Sequence, residues 1–330
     1  IWEKEALLAE PEVSSNAMEV VTSRLKLLDS NNLLVVKAAA ILGLRTFRVD
    51  PLCQAVKACF RSEKKMKTDL CPVNTAEEVE SILSVLVSEF LIEKVSTSSY
   101  QFKHDTIRKA AVSLLPNAKH KLEILHLNVA SSLTTLRVTN SYEKRPLEKE
   151  ELKFLLVEHF GAALPHLRSE KEKEMFAKLS LELAEAAMTK SAFLQAARKL
   201  QTGLSVLDES TRWKENYGLT LKMNLTLARL KFCAGALGEA LTFCTEVTTN
   251  GTSDKDKLDA YELIIILFQA RGDLEGAFNS TVSVLKNVFD ADLDEPAEEA
   301  VARVRALLEG KQISELQNLP MMRHKKAASK

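Results

Sequence analysis

Apolar residues recur at helical spacing through residues 17–28, and nearly every position from 33 to 42 is apolar. The first segment predicts a helix with one buried face. The second predicts a helix enclosed on all sides, the buried centre of its domain. Between them, Asp29-Ser30-Asn31-Asn32 is a turn cluster that supplies an N-cap, and Gly43 fits the following C-cap. Asp50-Pro51 starts a third helix with proline in its first turn, and Thr75-Ala76-Glu77-Glu78 offers a capping box for a fourth. The period then changes. Residues 90–95 and Tyr100-Gln101-Phe102 flank the turn-like Ser96-Thr97-Ser98-Ser99. That pattern predicts two short strands, the only β structure expected in the chain. Residues 100–115 run from this hairpin directly into an amphipathic helix, with His104-Asp105 at the junction. Helices followed by one β-hairpin outline a winged-helix domain over about 17–115.

From about 118 onward the pattern is helix after helix, with turn signals near 139–147, 165–169, 208–212, 250–253, 271–273 and 290–296. An internal repeat shows here. Ala192-Phe193-Leu194-Gln195-Ala196-Ala197, Gly235-Ala236-Leu237-Gly238-Glu239-Ala240-Leu241 and Gly272-Asp273-Leu274-Glu275-Gly276-Ala277-Phe278 occupy equivalent places. Aligning Ala196, Ala240 and Ala277 gives separations of 44 and 37 residues. Small residues there let paired helices approach, and glycine supplies a left-handed turn position. The pattern is tetratricopeptide-like, long and degenerate against the usual repeat of about 34 residues. The expected fold class is mainly α: a winged-helix domain with one β-hairpin, then a short α-solenoid offering a concave surface to a partner. The expected organisation is residues 1–16 from a preceding module, 17–115 winged helix, 116–320 helical repeat and 321–330 basic tail. The chain reads as a segment of something larger.

Composition narrows the function classes. Forty-five basic and 45 acidic residues cancel, so no globally basic nucleic-acid surface is indicated. The five cysteines (Cys53, Cys59, Cys71, Cys233, Cys244) are odd in number and have no Cys-x-x-Cys spacing. That points away from a disulfide framework and towards a reducing, cytoplasmic compartment. No apolar run approaches the ~20 residues that span a bilayer, so no membrane association is expected. An acidic stretch around Asp290, Asp292, Asp294, Glu295, Glu298 and Glu299 and a basic tail with Arg323, Lys325, Lys326 and Lys330 read as solvated surface.

Candidate chemistry is sparse. His104-Asp105 suggests a metal phosphohydrolase, but that chemistry needs a further histidine upstream, and His104 is the first in the chain. The alternative is structural: Asp105 caps a helix start, with His104 and Arg108 packing or pairing around the corner. His120 and His126 are six apart and do not share a helix face, and His159, His166 and His324 are scattered, so no metal ligands are assigned. No glycine pattern forms a Walker or dinucleotide loop. The helix at 75–89 carries Glu77, Glu78, Glu80 and Glu89 without Lys or Arg, which opposes duplex binding. No catalytic residue and no cofactor are assigned within these residues.

An ordered set of segments resembles a known arrangement. It comprises Val36-Lys37-Ala38-Ala39-Ala40-Ile41-Leu42-Gly43, Phe47, Leu52, Tyr100-Gln101-Phe102-Lys103-His104-Asp105-Thr106-Ile107-Arg108-Lys109-Ala110-Ala111 and Leu125-His126-Leu127-Asn128-Val129-Ala130. His159-Phe160, Ala192-Phe193 with Ala196-Ala197, Trp213, Tyr217, Ile313, Leu316 and Leu319-Pro320-Met321 continue it. In this order they resemble the winged helix and tetratricopeptide-like arm that follow the P-loop core in the STAND-type, AAA-related ATPase module of large signalling proteins, hybrid serine/threonine and histidine kinases among them. The resemblance implies ATP and magnesium bound by a core outside these residues, an intramolecular contact to that core, and a protein partner or effector on the helical arm. It makes His104, Asp105, Arg108 and Gly43 structural markers, and Phe193, Trp213, Tyr217 and Phe278 candidate surface residues. A related alternative is the arm of an ATP-dependent transcriptional regulator.

Overall fold

The computed structural model describes residues 15–63, 72–73, 75–138, 146–188, 191–289 and 296–309. The expected 1–16 segment for the most part, Cys71, His324, the basic tail and the Ile313–Met321 match lie outside them, as do Asp290, Asp292, Asp294 and Glu295 of the acidic stretch. The described residues are mainly helical, with one small sheet. The chain divides into two compact units, Ile1–Leu183 and Ala184–Lys330. This division falls inside a helix, well beyond residue 115, where the sequence pattern suggested a change of domain.

In the first unit, α1 (Ser15–Lys26) precedes α2 (Ser30–Leu42). The Asp29 carboxylate accepts from the Asn31 and Asn32 amides at 2.8 and 3.1 Å, and Gly43 ends α2 in the left-handed region at φ 73°. Residues Leu33–Val36 and Ala38–Leu42 are all buried, so α2 is the central helix that its apolar surround predicted. Lys37, which interrupts the run, is held by Glu63 at 2.8 Å. Strand β1 (Thr46–Arg48) leads into α3 (Val49–Glu63), which packs on α2. Helix α4 (Ala76–Ser88) carries the reciprocal capping box: Glu78 N–H donates to Thr75 Oγ1 at 3.2 Å, and Thr75 N–H donates to the Glu78 carboxylate at 3.1 Å.

Strands β2 (Ile92–Ser96) and β3 (Ser99–Phe102) form the expected hairpin. The sheet has a third strand that the sequence reading missed. β1 pairs antiparallel with β3, placing Phe47 opposite Tyr100, so the order is β1-β3-β2. Three residues are too few for an alternating pattern to show, and only the long-range pairing with β3 makes them a strand. Phe47 is fully buried and meets Phe102 edge-on at 5.7 Å between ring centroids. Helix α5 (Asp105–Ser113) starts three residues after β3 and packs on α1 and α2. Helix α6 (Lys119–Val138) lies along α3 and carries α7 (Pro146–Ala162), followed by a 3-10 turn at Leu164–His166. The packing of α6 on α3 keeps it in the same unit as the preceding elements. Helix α8 (Glu170–Met188) runs across the division.

The second unit holds α9 (Phe193–Ser205), the short α10 (Arg212–Glu215), α11 (Tyr217–Cys233), α12 (Leu237–Asn250), α13 (Asp254–Ala270), α14 (Leu274–Phe289) and α15 (Ala297–Leu308). Helices α9, α11, α12, α13 and α14 pack in turn, each on the next. Ala228, Ala240 and Ala260 lie in one buried cluster with Cys244, Val247, Leu263 and Leu267, where missing side-chain bulk lets the helices close.

The internal repeat has a backbone counterpart. Ser191, Gly235 and Gly272 sit at φ 57°, 75° and 77°, each five residues before its aligned alanine. The next residue in each case donates its amide five residues back: Ala192 to Ala187, Ala236 to Lys231 and Asp273 to Phe268, at 2.9–3.2 Å. This is a Schellman-type helix end used three times. Ala196, Ala240 and Ala277 are all buried.

Candidate functional site

The four marker residues gather where β3 hands the chain to α5. Strand β3 ends at Phe102, buried in the core, so the chain must turn out of the sheet at Lys103. His104 adopts the extended N-cap conformation, but its side chain makes no capping bond. Asp105 is the first helical residue rather than the cap. Its carboxylate turns along α5 instead, accepting from Arg108 Nε at 2.8 Å and pairing with Lys109 Nζ at 3.3 Å. The hydrogen bond from Arg108 is the main reason its carboxyl sits below the ordinary carboxylate range. A carboxylate engaged by two cations of its own helix is poorly placed as a metal ligand, and His104 makes no bond to it.

Two clefts flank this corner. One, of about 550 Å³, is lined by Gly43, Arg45, Glu93, Lys103, Asp105 and Arg108, bringing three of the four markers together. Its floor is the sheet, where Gln101 bonds Glu93 and Thr46 Oγ1 lies 3.5 Å from Gln101 Oε1. The other, of about 420 Å³, holds His104 with Val21, Arg24, Phe90, Lys103 and Ile107. Phe90 is exposed, adopts φ 58°, and carries the Lys103 ammonium over its ring at 4.6 Å. A left-handed backbone at an exposed phenylalanine is costly, and it ends α4 where glycine would be the ordinary choice. Lys103 lines both clefts. Arg45 and Phe90 carried no motif in the sequence, and Lys103 stood in the resembling stretch without a role of its own; only the pairing of β1 and β3 brings Arg45 to the corner.

The histidines, scattered in sequence, meet in two pairs along α6. His126 and His159 approach through their Nδ1 atoms at 2.8 Å, beside a cleft of about 280 Å³ under Gly43. Burial pushes the His159 imidazole down to about 3, with His126 adding to the shift, and burial lowers His126 as well. His166 Nε2 lies 3.0 Å from Glu123 Oε2, and its ring meets His120. Partners 33 to 46 residues apart leave no local signal.

The four candidate surface residues differ. Trp213 and Tyr217 meet edge-on at 5.9 Å, and both are half-buried. The Trp213 indole donates to Glu246 Oε1 at 2.9 Å, while the Tyr217 hydroxyl donates to Asp256 Oδ2 and accepts from the Thr252 amide, both at 2.8 Å. They bind α10 and α11 to α12 and α13. Phe193 is half-buried, whereas Phe278 is 67% exposed, one turn from the 71% exposed Leu274.

No family model, no curated protein and no solved structure matches the chain.

Proposed function

We propose that the chain is a regulatory and protein-interaction segment of a multi-domain signalling ATPase or kinase. In this reading the first unit up to α5 is a winged-helix-like module that contacts a nucleotide-binding core outside these residues. The element order α1-α2-β1-α3-α4-β2-β3-α5, with β1 closing the hairpin into a three-stranded sheet, supports the winged-helix reading. The corner clefts, where Gly43, Asp105 and Arg108 converge with Arg45 and Lys103, offer the charged face for that contact. Glu77, Glu78, Glu80 and Glu89 are exposed on α4 and its C-cap, which opposes a duplex-binding role and disfavours the transcriptional alternative.

The observation that carries the proposal is the threefold helix end at Ser191, Gly235 and Gly272. Repeated helical hairpins joined by one turn geometry are the building unit of tetratricopeptide-like arms, whose ordinary work is binding another protein. Leu274 and Phe278 are the apolar side chains exposed at the third repeat.

The test uses the parent protein. Removing residues 191–289 should abolish effector-dependent signalling while leaving nucleotide binding by the core intact. Phe278→Glu should weaken capture of the effector without lowering the melting temperature. Unchanged signalling after the deletion sinks the proposal.

A further inference from the structure

We propose that His120, Glu123 and His166 form a binding site for a divalent transition-metal ion of the zinc class, joining the 3-10 turn to α6. One donor atom from each of the three lies within 4.8 Å of the others. The site is independent of the signalling role and of the corner clefts.

The placement follows from the fold. His120 and Glu123 are three residues apart on α6, so they rise from one face. His166 ends the turn Leu164–His166, where Pro165 restricts the backbone and Leu167 is buried just beyond. That turn packs on α6 and brings His166 Nε2 to 3.0 Å from Glu123 Oε2. The His120 ring stands edge-on to the His166 ring at 4.8 Å between centroids. Glu123 and His166 are half-buried and His120 is exposed, so an ion reaches the site from solvent while two of its ligands stay ordered.

The donor set chooses the metal. Two imidazole nitrogens and one carboxylate oxygen suit zinc and its neighbours, whereas calcium and magnesium prefer all-oxygen shells. With bonds of about 2.0–2.1 Å, tetrahedral donors sit about 3.3 Å apart. Glu123 and His166, 3.0 Å apart, lie within a few tenths of an ångström of that spacing, and rotation of the exposed His120 side chain closes the remainder. Three protein ligands leave a fourth position to water. The Lys119 ammonium, 3.9 Å from Glu123 Oε1 and 91% exposed, is a nearby cation that can swing into solvent as the ion enters.

Zinc chloride titrated into the purified 330-residue chain by calorimetry tests this. The expected result is one zinc per chain, with affinity reduced about tenfold or more in His120→Ala, His166→Ala and Glu123→Gln. His104→Ala should leave binding unchanged. Zinc should also raise the melting temperature of the parent chain but not of His120→Ala. His120 is exposed, so its alanine variant keeps the fold and decides the matter if His166→Ala does not. No stoichiometric binding, or equal binding in His120→Ala and Glu123→Gln, overturns the proposal.

Discussion

The Nδ1 atoms of His126 and His159 face each other 2.8 Å apart across the α6–α7 seam, a spacing at which one imidazole donates a hydrogen bond and the other accepts it. His159 is 2% exposed, and its Nε2 is buried without a hydrogen-bond partner. A proton on His159 Nδ1 leaves Nε2 as an unpaired acceptor, which is less costly than an unpaired donor. His159 therefore donates and His126 accepts.

The pair sets an acid limit on stability. The folded His159 imidazole sits at about 3, well under the ordinary value of about 6.5. Between those values the unfolded chain binds the extra proton, so stability present above about pH 6.5 falls as pH drops towards 3. The slope contributed is at most about 1.4 kcal/mol per pH unit. His159→Leu should flatten the pH dependence of urea midpoints between pH 6.5 and 4.5. An equally steep dependence in the variant would remove His159 as the cause.

The three left-handed turns respond in opposite directions. Ser191 holds φ 57° with a Cβ, so Ser191→Gly should stabilise the second unit by roughly 0.5–1 kcal/mol. Gly235→Ala and Gly272→Ala should each cost about 1 kcal/mol. A Cβ at either glycine meets nothing within 4 Å, so that cost is conformational rather than steric. Thermal denaturation followed by circular dichroism reads both signs, and a Ser191→Gly chain that melts lower contradicts the assignment.

Thiol chemistry should divide by burial. Burial pushes the Cys59 and Cys244 thiols up to about 12, and raises Cys53 too. Cys233 is exposed at the end of α11. A maleimide at neutral pH should label Cys233 in the native chain and reach Cys59 and Cys244 only after denaturation. Peptide mapping by mass spectrometry identifies the labelled sites, and rapid native labelling of Cys244 would mean that the α11–α13 core opens.

Glu246 links α10 to α12. Burial raises its carboxyl, but the Trp213 indole and the Arg212 guanidinium at 2.8 Å outweigh that and hold it below the ordinary range. Trp213→Phe should cost about 1 kcal/mol, and Glu246→Leu about 1–3 kcal/mol because it removes the acceptor of the Trp213 indole and leaves Arg212 the longer contact to Glu209 at 3.8 Å. Chemical denaturation of the two variants checks the order; a larger loss in Trp213→Phe would reverse it.

What the sequence by itself determined lies close along the chain. The all-round apolar run made α2 central, Thr75 and Glu78 built their box, and the β2–β3 hairpin ran into a helix at Asp105. Gly235 and Gly272 marked the turns of a repeat because helix ends are decided within about six residues, and the structure adds Ser191 at the same place in the first copy. Only the tertiary structure decided the rest. Strand β1 exists because β3 lies beside it, with Phe47 paired to the distant Tyr100. The same pairing carries Arg45 to the corner, and the α6–α7 packing turns separate histidines into pairs. Trp213 and Tyr217, conspicuous in sequence, became internal ties because α12 and α13 supply acceptors that no local pattern reveals. Period and capping are written in near neighbours, whereas a cleft or a ligand set is made by side chains that meet only when distant helices bury their shared apolar faces.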